Sequence, residues 1–477
     1  MRRLLSPMLA TWACAAALAA CAVGPDYRPP PTPAGAQAPL VSLNPAAEIA
    51  AAPPDDWWRL YNDPLLDRLI GEAFAANADL AAAQANLSAA RAVLQASRAG
   101  RYPATTTVAD AIRGRDPITD EILEINGLRP FTIWKLDDLL DVSYEVDLFG
   151  RVRRSIEASR ADAQAVAAAR DGLKITVAAE TARAYAQICT LGEEVAVARR
   201  SLEVVARLAD ITAARHAAGA NSEFDVLRAQ GLVAQVRSTI PPLEGQRRAA
   251  LFQLAALLGR TPTAAPAEVQ ACATAPRLTT LIPVGDGAAL LKRRPDVRQA
   301  DRRVAAATAR IGVATADLYP KISLTGFYGG AGFHTSDLTA ERGLVWGLGP
   351  SISWTFPNQS LPRARIRQAR AGADAALAAF DSTVLQALKE TEQALSIYSA
   401  ELDRRQNLAE VQDHARRALD IARGQYLAGA LSQLELLTAE QSLVAAESAV
   451  AASDAALAQD QIAVFKALGG GWRTAPH

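Results

Sequence analysis

Four cysteines and four histidines are the side chains of this chain best able to form covalent or metal bonds. Cys21 has the most specific setting. It closes Leu18-Ala19-Ala20-Cys21, after Arg2, Arg3 and a short run of apolar and small residues. That order reads as a secretory signal over 1–20. Its last four residues resemble the bacterial lipobox, where the thiol takes a diacylglycerol and the amine freed by cleavage takes an N-acyl chain. Cys21 is the expected lipidation site, and several acyl chains on one residue suffice to anchor a protein. Ala22, rather than Asp, follows it, which in lipoprotein sorting directs the product to an outer membrane. Besides Cys21, only Cys189 and Cys272 remain after the signal, in an oxidising compartment that permits a disulfide. His216, His334, His414 and His477 have no histidine partner one helical turn away, so no metal site is expected. The glycine-rich "GFYGGAGFH" lies on a strand and its loop, with no helix start to receive a phosphate. No catalytic constellation or cofactor beyond the covalent lipid is expected. Fifty basic and fifty acidic residues cancel, which gives no electrostatic case for nucleic acid.

The elements that would position such residues come in two copies. With Pro103 laid on Pro320, residues 77–103 overlay 294–320 without a gap, so that Asp79 meets Asp296 and Tyr102 meets Tyr319. Farther on the copies realign, again without gaps: Ser143 meets Ser353, Arg153 meets Arg363, Glu180 meets Glu390, Gly219 meets Gly429 and Gly259 meets Gly469. Each copy reads helix, strand, loop, strand, long helix, tight turn, long helix. Leu80, Leu87 and Leu94 in one copy, and Val297, Val304 and Ile311 in the other, repeat every seven residues with Ala or Ser three later. A seven-residue period supercoils helices left-handedly, and small residues let them approach closely. After Gly150 the pattern stays helical to about His216, roughly 90–100 Å at helical rise. Gly219 and Gly429 end the long helices as turn tips, and Ser222-x-x-Asp225 and Ser432-x-x-Glu435 start the return helices as capping boxes. Pro241-Pro242 is expected to kink the first return helix.

"DVSYEVDLF" alternates Val142, Tyr144, Val146 and Leu148 against Asp141, Ser143, Glu145 and Asp147. "GPSISWTF" sets Pro350, Ile352, Trp354 and Phe356 against Ser351, Ser353 and Thr355, "KISLTGFY" alternates likewise, and "PATTTVADAI" does so weakly. Apolar against polar at period two fits strands with lipid on one side and water on the other. Four strands cannot close around a lumen, and open edges are not tolerated in hydrocarbon, so several chains must share one barrel. Trp134, Trp346, Trp354 and Tyr144 are placed by this reading near the barrel's interfaces.

Several motifs meet together in one family. Cys21 is followed by "GPDYRPP", and then come "WWRLYNDPLLDRLI", "SYEVDLFGRVRRS", "AGANSEFDVLRAQ", "LKRRPDVRQADRRVAAATARIGVATADLYPKISL" and "YLAGALSQLELLTAEQ". In these the chain resembles the TolC-type outer-membrane efflux channels, in their lipoprotein, NodT-type branch, over nearly all of its mature length. The resemblance implies a mainly α protein with a small membrane β part: a homotrimer with a twelve-strand barrel continued by a long periplasmic α-helical barrel. It implies passive export of drugs, toxic organics or metal ions, with a periplasmic adaptor protein and an inner-membrane resistance–nodulation–division transporter as partners and outer-membrane lipid around the barrel. It also points to Tyr426, Leu434, Glu435, Thr438, Gln441 and Asp225 as periplasmic gate candidates. Some relatives carry Asp and Arg where Thr438 and Gln441 stand, so a salt-bridge latch at those two positions is not expected here. A surface-anchored coiled-coil scaffold lipoprotein and a type I secretion channel stay open as alternatives.

The expected organisation is a signal at 1–20, an extended lipidated tether at 21–56, and repeats at 57–275 and 276–477. Strands are expected at about 104–112, 139–148, 321–329 and 347–356, and long helices at about 151–216, 222–258, 361–427 and 432–468. Helical rise places Cys189 roughly 45 Å above the Gly219 tip, and the return helix climbs roughly 54 Å before Gly259. Cys272 then has enough chain to fold back onto Cys189, and the two are expected to pair.

Overall fold

The computed structural model describes residues 22–470 except 37, 45–46, 50, 116, 130, 275, 279 and 286. The signal, Cys21 and the last seven residues lie outside the described residues. The helices of thirteen residues or more are α1 Pro64–Ala76, α2 Ala78–Ala99, α3 Arg151–Ala217, α4 Glu223–Leu257, α5 Pro295–Ala316, α6 Ser360–Leu427 and α7 Gln433–Ala467. The strands of the larger sheet are β1 Ala104–Gly114, β2 Ile133–Glu145, β3 Lys321–Gly332 and β4 Leu344–Ser353. The duplication shows in the lengths: α2 and α5 have 22 residues each, α3 and α6 have 67 and 68, and α4 and α7 have 35 each. α4 continues through Pro241 and Pro242.

By contact the chain forms two compact units, and the division cuts across the repeats. One holds Leu87–Val166 and Ala300–Phe380 with the chain up to Pro30; the other holds Pro31–Asn86, Ala167–Gln299 and the chain from Asp381. The repeat boundary near 275 is therefore a boundary of sequence ancestry, while each packed unit draws on both copies.

In the first unit the four strands form an antiparallel sheet in the order β1-β2-β3-β4. β2 pairs with β3 in register Val142↔Gly326, and this seam joins the two copies. Two strands end earlier than their alternation suggests. Asp147 leaves the strand because its carboxylate accepts from the N–H groups of Val152 and Arg153, at 2.9 and 2.8 Å, and so starts α3. β2 thus stops at Glu145 and begins at Ile133, earlier than the 139 expected. Trp354 leaves β4 because its indole donates to the Leu318 carbonyl at 3.1 Å and stacks on Phe356 at 4.8 Å. Val146, Leu148, Trp354 and Phe356 are therefore off the strand faces.

In the second unit Trp57, fully buried, stacks on Phe465 at 4.9 Å, and Leu66, Leu69, Ile70, Leu254 and Ile462 close around the pair. Arg294, also buried, donates to the Ala467 carbonyl at 2.7 Å, to Asp296 at 2.7 Å and to Glu390 at 2.8 Å, which ties the start of α5 to α6 and to the end of α7. The segment expected as a free extended tether is fastened. The N–H groups of Val41 and Ser42 donate to the Glu392 carboxylate at 2.7 and 2.8 Å. Glu48–Ile49 then pairs in parallel with Ile282–Pro283.

Cys189, on α3, is bonded to Cys272, with 4.8 Å between their Cα atoms. Arg247 of α4 holds the incoming loop by donating to the Cys272 carbonyl at 2.8 Å and the Gln270 carbonyl at 2.5 Å. Gly192 leaves room for it, since a Cβ there would stand 2.4 Å from the Cys272 carbonyl oxygen.

Candidate functional site

Two regions carry function: the sheet, and the helix turns at Gly219 and Gly429. Side chains alternate across a strand, and the register then fixes the two faces of the sheet. One face carries Trp134, Leu136, Leu140, Val142 and Tyr144 of β2, Ile322, Leu324 and Tyr328 of β3, and Trp346, Leu348, Pro350 and Ile352 of β4, with Asp138 of β2 and Thr105, Thr107 and Arg113 of β1 as its polar members. The other is mainly polar, with Thr106 and Asp110 of β1, Lys135, Asp137, Asp141, Ser143 and Glu145 of β2, Ser323 and Thr325 of β3, and Ser351 of β4, and it also carries Val108, Ile112, Leu139 and Phe327. From Trp134 to Tyr144 the apolar band, interrupted by Asp138, runs about 33 Å along the strand, or about 25 Å vertically at a tilt near 40°, the height of a membrane band. Trp346, Leu348 and Ile352 are 70%, 73% and 67% exposed in the single chain. An apolar surface of that extent demands a cover. β1 and β4 each pair on one side only. Trp134 falls at the loop end of the band and Tyr144 at its helical end, whereas the register sets Trp346 beside Tyr328, level with Leu140 in the middle of the band.

The turns belong to the second unit, where each follows a long helix in sequence. Gly219 and Gly429 adopt φ of 79° and 74°, a conformation that favours glycine, and the following N–H groups of Ala220 and Ala430 close the turn onto Arg215 and Gln425 carbonyls at 2.9 Å each. Ser222 with Asp225, and Ser432 with Glu435, form reciprocal capping boxes. The Glu435 carboxyl is held below its ordinary value by the Ser432 hydroxyl and then by that residue's backbone N–H.

Beside the turns, Val205 and Leu208 of α3, Leu232 and Val236 of α4, Leu419 of α6, and Leu436 and Leu437 of α7 form one buried cluster. Next to it a polar network crosses between the hairpins. Gln433 is buried; its amide donates to the Thr212 hydroxyl, while its carbonyl oxygen accepts from Asn221 and, at 3.0 Å, from the Tyr426 hydroxyl. Arg215 donates to that same hydroxyl and lies 4.7 Å over the Tyr426 ring. Within the second hairpin Arg423 reaches the buried Glu440 at 2.6 Å. An interior of low dielectric makes such a network stable only when every member is satisfied.

Of the gate candidates, the structure brings Tyr426 into this network. Leu434, Glu435, Thr438 and Gln441 lie on the exposed side of α7, away from Gln433, and Asp225 serves as a cap. Gln433, Thr212, Arg215 and Asn221 are additional. Glutamine at the first position of a capped helix is an ordinary surface choice, and only the meeting of two hairpins makes it an interior group.

The family model described as "Outer membrane efflux protein" matches residues 69–260 and 288–470. Nodulation protein T of Rhizobium leguminosarum bv. viciae is 29% identical over 460 residues, covering 95% of this chain and 92% of its own. The pyoverdine export outer membrane protein OpmQ of Pseudomonas putida is 31% identical over 468 residues, covering 93% and 94%. Among solved structures, the outer-membrane channel OprN superposes with a TM-score of 0.85 at 35% identity, covering 95% of this chain and all of that one. The apolar-faced sheet and the paired long hairpins have a common explanation: this chain belongs to the outer membrane efflux protein family, as a channel of the NodT type.

Proposed function

We propose that three copies of this chain close their sheets into one barrel and serve as the passive exit duct of a tripartite pump. The observation that carries this is the four-stranded sheet, mainly apolar on one face, mainly polar on the other and unpaired along both outer strands. A periplasmic adaptor meets the Gly219 and Gly429 turns, and a resistance–nodulation–division transporter supplies the cargo. The cargo is a drug, a toxic organic compound or a metal ion; of the relatives, TtgC is named for a toluene efflux pump and OpmQ for pyoverdine export. The chain does no bond chemistry of its own. Cys21 bears the diacylglycerol and the N-acyl chain.

The hairpin turns form the gate, held shut where Gln433 and Tyr426 of the second hairpin engage Thr212, Asn221 and Arg215 of the first. Opening separates the hairpins and exchanges these bonds for water. Reconstitution in a planar bilayer tests the duct: discrete conductance steps from the purified trimer are expected. A trimer that binds the membrane but conducts no ions, even with the network removed, would identify a scaffold instead.

A further inference from the structure

The residues that follow Cys21 are built into the first unit. Val23 donates its N–H to the Phe149 carbonyl at 3.1 Å, at the junction of β2 and α3. Gly24 sits at φ 91°, and a Cβ there would stand 2.5 Å from the Gly312 Cα on α5. Gly150 sits at φ 80°, where a Cβ would stand 2.7 Å from the Ala22 Cβ. The Arg154 side chain, only 5% exposed, donates to the Val23 and Gly24 carbonyls at 3.3 Å each and to Asp26 at 2.7 Å. Its other branch holds Glu157 at 2.8 Å. Tyr27 packs on the buried Ala161, Ala305 and Ala306, donates its hydroxyl to Asp301, and lies under Arg302 at 5.4 Å. Two backbone positions thus lack room for a side chain, and a buried guanidinium finds three of its acceptors on this one segment.

We infer that Ala22–Tyr27 is a clasp that fixes the acylated terminus at the barrel's helical rim and locks α3 of one copy to α5 of the other. This rests on reading Cys21 as acylated. A free tether over 21–56 would let the lipid wander roughly 100 Å from the helical core, since an extended chain spans about 3.3 Å per residue. The clasp leaves one peptide bond, about 3.8 Å between Cα atoms, between the acylated residue and a docked one. The acyl chains then enter the bilayer beside the lower ends of β2 and β3. The lipid becomes a structural neighbour of the barrel, and the strap transmits its position to the packing of α3 on α5.

The test uses the full-length protein made in cells fed a photoactivatable, clickable fatty acid, with hydrogen exchange measured on the purified trimer. In the wild type, crosslinks from Cys21 should concentrate on Val142–Glu145 and Lys321–Leu324, and residues 22–30 should be protected. Gly24→Val should keep the fatty-acid label, scatter the crosslinks and raise exchange in 22–30 about tenfold or more. Tyr27→Ala, a milder change that leaves both glycine contacts, should do the same to a smaller degree and guards against a Gly24→Val protein that fails to fold. Wild-type exchange in 22–30 as fast as in an open loop, or protection undiminished in both variants, overturns the clasp. Crosslinks spread evenly over the strands in the wild type overturn the fixed anchor. An unlabelled wild type overturns the acylation reading alone, and exchange still judges the clasp.

Discussion

Replacing Gln433 by alanine should leave the channel partly open at rest. The side chain is buried and makes three hydrogen bonds: two cross between the hairpins, to Thr212 and from Asn221, and the third comes from Tyr426 of its own hairpin. Each is worth about 0.5–1.5 kcal/mol net, so losing the two that cross costs the latched arrangement about 1–3 kcal/mol. In a two-state gate that difference lowers the closed-to-open ratio roughly 5- to 160-fold. The cost falls on the latched state because solvent replaces these bonds once the hairpins part. Thr212 keeps a second partner, the Leu208 carbonyl at 2.8 Å, so the variant strands no buried hydroxyl and should still fold. Single-channel recording of the reconstituted trimer gives the open fraction directly. Tyr426→Phe removes two bonds of the same network, from Arg215 and to Gln433, and the double variant should open the channel less than the two single effects would sum to. A Gln433→Ala trimer as closed as the wild type, or strictly additive singles, would refute the latch.

Other outcomes can be checked separately. Tyr426→Ala with Leu434→Ala should raise resting conductance, mainly through Tyr426 because Leu434 is exposed; conductance unchanged from wild type would place the constriction elsewhere, with Asp225 or Glu440 next to be tried. Cys21→Ala should lose palmitate labelling and still fractionate with the outer membrane, and a labelled variant would contradict the assignment. Non-reduced peptide mapping should find Cys189 joined to Cys272, and opening that loop with Cys272→Ser should cost up to about 4.5 kcal/mol in the entropy model for a separation of 83 residues; free thiols in periplasm-matured protein would end this idea. Trp57→Ala, which empties the site against Phe465, should cost about 3–5 kcal/mol by thermal or denaturant unfolding, and a loss below about 1 kcal/mol would mean that this core is not limiting. Because the folded Glu435 carboxyl lies below its ordinary value of 4.5, its contribution is complete above that pH and is lost as pH falls through the folded value. Exchange in the first turn of α7 should therefore rise on acidification below about pH 4.5, and Glu435→Gln should abolish the dependence; a dependence that persists in the variant excludes this carboxyl as its source.

Elements were more legible in the sequence than contacts. Long helices announce themselves by an unbroken pattern and by turns that only glycine adopts readily, so Gly219 and Gly429 marked their ends within a residue or two. Strand ends were harder because alternation continues past the sheet. Asp147 continues the polar face in sequence, yet its carboxylate is worth more capping α3, and Trp354 continues the apolar face while its indole seeks the Leu318 carbonyl. At the other end of β2, adjacent Asp137 and Asp138 interrupt the alternation and hide six residues of strand. Composition also suggested that 22–56 would be free, since proline and small residues form no core. The segment instead uses its backbone, through Arg154 and Glu392, and backbone carbonyls and N–H groups leave no trace in composition.

The polar network at the turns was hidden for a related reason. Thr212, Arg215 and Asn221 lie in the first copy, more than two hundred residues from Tyr426 and Gln433, and each is an unremarkable choice for the exposed side of a helix end. They meet because the duplication gives the two hairpins equal lengths, 67 and 68 residues down and 35 back, which brings both turns to one level. The network is itself asymmetric: the counterparts of Tyr426 and Gln433 in the first copy are His216 and Glu223. His216 faces the Asn221 carbonyl of its own turn at 2.9 Å, and Glu223 is exposed. On the proposed reading the latch lies in the differences between the copies, in Tyr426 and Gln433 where the first copy has His216 and Glu223, and a search for matching positions passes over it.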